Sequence, residues 1–106
     1  MSNIIIQQGK ELDGIIKYVK SLSNYKSMKL NPLKSRVIFN FVNFDLIVEY
    51  QGTDSFRTYI KKDGRDIKLN VNFNGNTIST LDEIGLGYLS ANDTITIITK
   101  MVSIME

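Results

Sequence analysis

The side chains best placed for chemistry are two carboxylates, Asp45 and Glu49, in a segment rich in β-branched and aromatic residues. Their even spacing puts them on the same face of an extended strand as Ile47. Paired carboxylates can exchange protons with a substrate or bind a hard cation. A strand that is half-buried also carries polar residues on its solvent face, and this simpler interpretation is favoured for Asp45 and Glu49.

The side chains used in the commonest catalytic mechanisms are absent from this chain. The sequence contains no cysteine and no histidine. This composition excludes disulfides, thiolate metal sites and a cysteine nucleophile, and it leaves no imidazole to act as a base or a metal ligand. A Ser-His-Asp or Cys-His mechanism therefore cannot be built. We expect a protein that is not an enzyme and that uses no cofactor or metal. The lack of cysteine also favours an intracellular, cytoplasmic location.

Two glycine-containing motifs have only a superficial likeness to ligand-binding loops. Asp63-Gly64-Arg65-Asp66 lacks the series of oxygen ligands and the distal glutamate of a calcium loop. Its Asp-Gly pair is instead typical of a hairpin turn. Gly85-Leu86-Gly87 lacks the Gly-Lys-Ser/Thr ending of a phosphate loop, so its glycines indicate turn geometry.

Positive charge is concentrated in the first third of the chain. Residues 1–36 contain seven basic and two acidic side chains, whereas residues 37–106 contain six basic and nine acidic ones. Residues 17–36 could contact phosphates, with Tyr18 and Tyr25 stacking on bases. A solvated helix face followed by a lysine-rich loop explains the same pattern and is favoured, because lysine is poorly suited to base-specific recognition. The candidate partner-binding residues are Lys17, Lys20, Tyr25, Lys26, Lys29, Lys34 and Arg36.

The length of 106 residues predicts a single domain, residues 1–106, with one hydrophobic core. No apolar run approaches the roughly 18–20 residues that cross a membrane, so no membrane partner is expected. The short apolar run Ile4-Ile5-Ile6 has no basic region before it, which argues against a signal peptide.

The first half of the chain predicts one helix and one or two strands. Residues 10–23 carry apolar side chains at the spacing of an amphipathic helix, whereas residues 4–6 form either a short strand or a packed tail. Residues 24–35 contain the only proline and are predicted to be a loop. Residues 36–50 suit strand structure but are long for one strand. Two strands that break at Val42-Asn43, or a single bulged strand, are both possible.

The second half of the chain predicts hairpins. Residues 51–55 read as a turn and residues 56–62 as a strand, followed by a hairpin at Asp63-Gly64. Residues 67–73 alternate strictly between apolar and polar side chains, which predicts a half-buried strand. Another tight turn is predicted at Asn74-Gly75.

The last part of the chain predicts a helical turn and a final strand. Ser79 or Thr80 is a candidate cap for a short helix over residues 81–84. The β-branched run at residues 94–98 predicts the last strand, which residues 101–104 extend.

Three motifs within residues 68–100 resemble segments of ubiquitin-like β-grasp domains. Val71-Asn72-Phe73-Asn74-Gly75 is similar to the strand and tight turn of that family. Leu81-Asp82-Glu83-Ile84-Gly85-Leu86 is similar to its core-plugging segment, and Asn92-Asp93-Thr94-Ile95-Thr96-Ile97 to the turn into its final strand. The resemblance implies a domain that docks to other proteins. Unlike the family, this chain places its helix before the strands and ends without a di-glycine.

The sequence therefore predicts an α+β fold. An N-terminal amphipathic helix packs on a four- to five-stranded antiparallel or mixed sheet, arranged either as a ubiquitin-like β-grasp or as a cystatin-like roll. If both faces of the strand region at residues 37–48 are apolar, the helix would cover one face, and another chain could cover the second face or pair with an edge. A core formed entirely within the chain explains the same pattern equally well.

The expected function is a non-catalytic protein–protein interaction module, either a ubiquitin-like adaptor or a small binding protein. The exposed sheet face or edge would bind the partner, and the basic segment would set its approach. Two alternatives remain open. One is a self-associating structural subunit of an assembly, such as a small phage-type or mobile-element protein. The other is nucleic-acid binding through residues 17–36.

Overall fold

A five-stranded antiparallel meander forms the centre of the fold. The computed structural model describes residues 2–52, 54–79 and 88–106. Each strand of the meander pairs with the next in chain order, so the spatial order equals the sequence order. The strands are β1 (Tyr25–Asn31), β2 (Arg36–Phe41), β3 (Asp45–Gln51), β4 (Ser55–Lys62) and β5 (Arg65–Ile67).

Two helices pack on one face of this sheet. Helix α1 (Ser2–Lys20) contacts helix α2 (Ala91–Met105), and α2 lies against β4. Their apolar stripes join the alternate residues of β2, β3 and β4 in one buried cluster. Among the described residues, neither helix combines the length and apolar character needed to cross a membrane. The cluster includes Ile15, Val19, Val37, Phe39, Leu46, Val48, Phe56, Ile60, Ile97, Ile98 and Met101.

A small second sheet extends the core. Strands β6 (Asn70–Phe73) and β7 (Asn76–Ser79) form a hairpin, and β6 contacts α2. Its two-residue turn has φ values of 53° at Asn74 and 81° at Gly75. The β4–β5 turn is similar, with 54° at Asp63 and 77° at Gly64. These left-handed conformations suit Asn-Gly and Asp-Gly pairs, so both predicted hairpin turns are confirmed.

The α+β class and the helix-on-antiparallel-sheet arrangement are confirmed, with five strands in the main sheet. Of the two possibilities for residues 36–50, the structure has two strands. They are separated at Val42 and Asn43, where the Phe41 amide donates a hydrogen bond to the Phe44 carbonyl over 2.9 Å. The strand predicted at residues 56–62 is also confirmed as β4.

Two predictions for the N-terminal third are wrong. Residues 4–6 are neither strand nor tail, because α1 already begins at Ser2. Residues 24–35 are not a loop, since they form β1 and a 3₁₀ turn, Pro32–Lys34. Strand β1 exists because it completes the backbone hydrogen bonds of β2 along its length, a long-range gain that local composition does not show.

Two predictions for the C-terminal half are also wrong. Residues 67–73 are not one strand, because Ile67 ends β5 and Asn70 begins β6 in the other sheet. Residues 94–104 are not strand but lie within α2, which Ser90 caps by accepting a hydrogen bond from the Asp93 amide. The short helix predicted at residues 81–84 lies outside the described residues.

Candidate functional site

The candidate site is the face of the five-stranded sheet that points away from α1 and α2, which we call the open face. The strand registers arrange its side chains in three rows that run across the strands. The middle row contains Lys29, Ile38, Ile47 and Tyr59; one flanking row contains Arg36, Glu49 and Arg57, and the other contains Asn40, Asp45 and Lys61.

The middle row gives the open face an apolar centre. Ile38 lies opposite Ile47, which in turn lies opposite Tyr59. Ile47 is only 2% exposed, although it is not part of the buried cluster beneath the helices. Its register partners Ile38 on β2 and Tyr59 on β4 flank it on the open face. The centre of the open face is packed before any partner arrives.

One flanking row is organised around the Glu49 carboxylate. Its Oε2 atom accepts hydrogen bonds from Arg36 Nη2 over 3.0 Å and from the Tyr59 hydroxyl over 2.9 Å. The guanidinium carbon of Arg57 lies 5.8 Å from the centre of the Tyr59 ring, within cation–π range. Both members of the Arg36–Glu49 pair are partly exposed, so the pair adds little stability. Together, the two hydrogen bonds to Glu49 hold the side chains of Arg36, Glu49 and Tyr59 in fixed orientations.

The other flanking row is also linked by hydrogen bonds. Asn40 Nδ2 donates to Asp45 Oδ1 over 2.9 Å, and Ser27 Oγ donates to Asn40 Oδ1 over 3.1 Å. Lys61 Nζ lies 3.5 Å from Asp66 Oδ1 on β5. Asp45 and Glu49 thus engage separate partners, as expected for the polar face of a strand.

The acidity of the Tyr59 hydroxyl is strongly changed by its surroundings. Burial, followed by its hydrogen bond to Glu49 and the charge of that carboxylate, raises the pKa of Tyr59 from 10.0 to about 12. A protonated hydroxyl is therefore kept on the open face. It acts as a hydrogen-bond donor to Glu49.

Tyr59 is expected to make stability depend on pH in alkaline solution. The folded protein keeps the hydroxyl proton up to a pH of about 12, whereas the unfolded chain releases it near 10.0. The stabilisation is therefore complete below the unfolded value and is lost as pH rises through the folded one. Urea unfolding across this interval should show a steeper loss of stability for the wild type than for Tyr59→Phe. Parallel curves for the two proteins would contradict the hydrogen-bonded role of Tyr59.

The basic residues singled out in the sequence do not form one patch. Lys17 and Lys20 lie on α1, whereas Lys34 lies in the 3₁₀ turn. Lys29 and Arg36 point to the open face, where Arg36 is held by Glu49. Lys26 lies at an irregularity of β1 beside the sheet edge.

The two tyrosines considered for base stacking pack within the fold. Tyr25 meets the Phe41 ring edge-on, with 6.2 Å between ring centres. The Tyr18 hydroxyl forms a hydrogen bond with the Thr99 hydroxyl, which links α1 to α2. Both rings are half-buried against the core cluster. Neither ring is presented as an open stacking platform.

Most side chains of the open face carry no distinctive sequence motif. Ile38, Arg57, Tyr59 and Lys61 were not singled out, although they share it with Asp45 and Glu49. The alternation along β4 was the available signal, because it places Arg57, Tyr59 and Lys61 on one side of the strand. Which strands become neighbours in the sheet depends on long-range pairing, and the sequence pattern does not show that pairing.

No family model, curated protein sequence or solved structure matches this chain.

Proposed function

We propose that this protein is a non-catalytic domain that binds another protein through the open face. The observation that carries the proposal is the packed apolar centre between two rows of polar side chains that are already held in place. Side chains that are ordered before binding lose little conformational freedom when a partner arrives. A partner would meet a surface that needs no rearrangement.

The chemistry of the open face resembles that of protein interfaces. Tyrosine and arginine are the residues most enriched at positions that dominate binding energy, and this face presents Tyr59 with Arg36 and Arg57 around it. Ile38 supplies apolar surface at the centre beside the buried Ile47, and the charged groups lie towards the sides.

The fold supports a binding role by analogy only. Its first helix is followed by a consecutive antiparallel meander, which favours the cystatin-like roll over the β-grasp. The ubiquitin-like likeness of residues 68–100 stays a prediction, and the segment that it assigns to a final strand is helical in α2. The proposal therefore depends on the open face rather than on family membership.

The basic side chains next to the open face would assist the approach of a partner. Lys26, Lys29 and Lys34 are exposed, and no carboxylate within residues 2–52, 54–79 and 88–106 forms an ion pair with them. Exposed positive charges raise the rate at which this protein associates with a partner that has an acidic surface. Salt screens this attraction. Nucleic-acid binding through residues 17–36 stays an alternative, although the half-buried packing of Tyr18 and Tyr25 gives it less support.

Site-specific photo-crosslinking in the cells that naturally make this protein tests the proposal. A photoreactive amino acid at Lys29 or Ile38 should form adducts with one protein partner, which mass spectrometry identifies as a second copy of this chain or as a different protein. The same group at Val42 is the matched control, because that side chain is 59% exposed but lies in the β2–β3 turn. Equal adducts at all three positions, or none at Lys29 and Ile38, would contradict binding through the open face.

A further inference from the structure

We propose that the open face binds the open face of a second copy of this chain, related by a two-fold axis that runs parallel to the strands between β3 and β4. This inference rests on the proposed function, because it names the partner of the same surface. The inference depends on the separation of negative and positive side chains between the adjacent strands β3 and β4.

Charges of opposite sign lie on separate strands of the open face. Strand β3 contributes the carboxylates Asp45 and Glu49, whereas β4 contributes the cations Arg57 and Lys61. In the strand register Asp45 lies opposite Lys61, and Glu49 lies opposite Arg57. The line between β3 and β4 therefore separates a negative strand from a positive one.

Consider a two-fold axis parallel to that line and halfway between the two open faces. A rotation of 180° about it places β3 of one copy over β4 of the second copy. Sheets that stack face to face lie about 10 Å apart with strand directions within about 30° of each other. Glu49 then faces Arg57 of the second copy, and Asp45 faces Lys61 of the second copy. By the same rotation, Ile47 faces Tyr59 of the second copy. Each contact occurs twice, as a two-fold interface requires.

The other two-fold arrangement of these faces brings like charges together. An axis across the strands would lay each strand over its own copy in the reverse direction. Glu49 would then face Asp45 of the second copy, and Arg57 would face Lys61 of the second copy. Opposed like charges disfavour this arrangement, so the charge pattern selects the axis parallel to the strands.

The size of the open face sets the expected strength of the dimer. A two-fold axis between β3 and β4 leaves β1 without a strand opposite it, so the overlap spans β2 to β5. With strands about 4.8 Å apart and about 3.3 Å per residue, this overlap covers roughly 400 Å² in each copy. About 800 Å² in total lies below the size of stable specific interfaces, in the range of weak and transient contacts. We therefore expect a reversible dimer whose population rises with protein concentration.

Sedimentation velocity on two charge-reversed variants tests the arrangement. The wild type should move from a 12.1 kDa monomer toward about twice that mass as its concentration rises. Asp45→Lys and Lys61→Asp should each remain monomeric, because each leaves like charges facing across the two-fold axis. An equal mixture of the two variants should dimerise again, because Lys at position 45 then faces Asp at position 61, and Lys61 faces Asp45.

Val42→Lys is the matched control, because it adds a charge outside the open face and should dimerise like the wild type. Circular dichroism establishes that each variant is folded. Should a variant fail to fold, carbodiimide cross-linking of an equal mixture of isotope-labelled and unlabelled wild type provides the second measurement, with an Asp45–Lys61 linkage expected between a labelled and an unlabelled chain. A wild type that stays monomeric and yields no cross-linked dimer overturns the inference, as does a mixture that fails to associate. Photo-adducts with a different protein would leave the proposed function intact.

Discussion

Ile97→Asp and Ile98→Asp are each expected to unfold the protein. Both isoleucine side chains are completely buried in the contact of α2 with the sheet. A carboxylate there has to be neutralised or drawn into water, which costs more than about 4 kcal/mol, a large part of the stability of a small domain. Urea unfolding followed by circular dichroism measures the loss.

The two substitutions, Ile97→Asp and Ile98→Asp, also distinguish a helix from a strand at residues 94–98. Adjacent residues of a strand point to opposite faces, so a strand at residues 94–98 would tolerate one of the two substitutions. A helix buries neighbours when both lie on its apolar stripe. Thr96→Asp is the matched control, because Thr96 is exposed on the same helix, and its effect should stay within about 0.5 kcal/mol. Tolerance of either isoleucine substitution would contradict α2.

Phe39→Ala is expected to lower the free energy of unfolding by about 3–5 kcal/mol. Phe39 lies in the middle of β2, is fully buried and faces the helices. Removing its ring loses apolar burial and leaves a cavity that the surrounding sheet cannot collapse into completely. Equilibrium denaturation in urea measures the change.

Leu33→Ala is the comparison for this truncation, because it also removes apolar atoms. Leu33 is 97% exposed in the 3₁₀ turn between β1 and β2. Its truncation should change stability by less than about 0.5 kcal/mol. Equal losses for Phe39→Ala and Leu33→Ala would contradict the placement of the core under the inner face of the sheet.

The last helix shows why sequence patterns alone give the wrong element here. Thr94, Ile97, Ile98, Met101 and Val102 are buried at helical spacing, with Ser90 as the cap. The same segment is β-branched, with alternating threonine and isoleucine at residues 94–97, so it also satisfies a strand pattern. Packing of α2 against α1 and β4 decides between them, and those contacts lie far away in sequence.

The open face could be predicted only in part, because strand alternation is visible in the sequence and strand register is not. Alternation alone placed Asp45, Ile47 and Glu49 on one side of a strand, and β3 has this arrangement. The partners of Glu49 come from other strands, since Arg36 is on β2 and Tyr59 is on β4. Their meeting depends on strand register, which the hairpin turns and core packing fix together.

The position of α2 after the sheet in the chain has a consequence for biosynthesis. All five strands of the meander are synthesised before residues 91–105, and neighbouring strands can pair as soon as both have left the ribosome. The inner sheet face, including Val48, Phe56 and Ile60, then lacks its α2 cover until synthesis reaches that helix. Released chains truncated before residue 91 should therefore be bound by chaperones that recognise apolar segments, whereas chains that contain α2 should not.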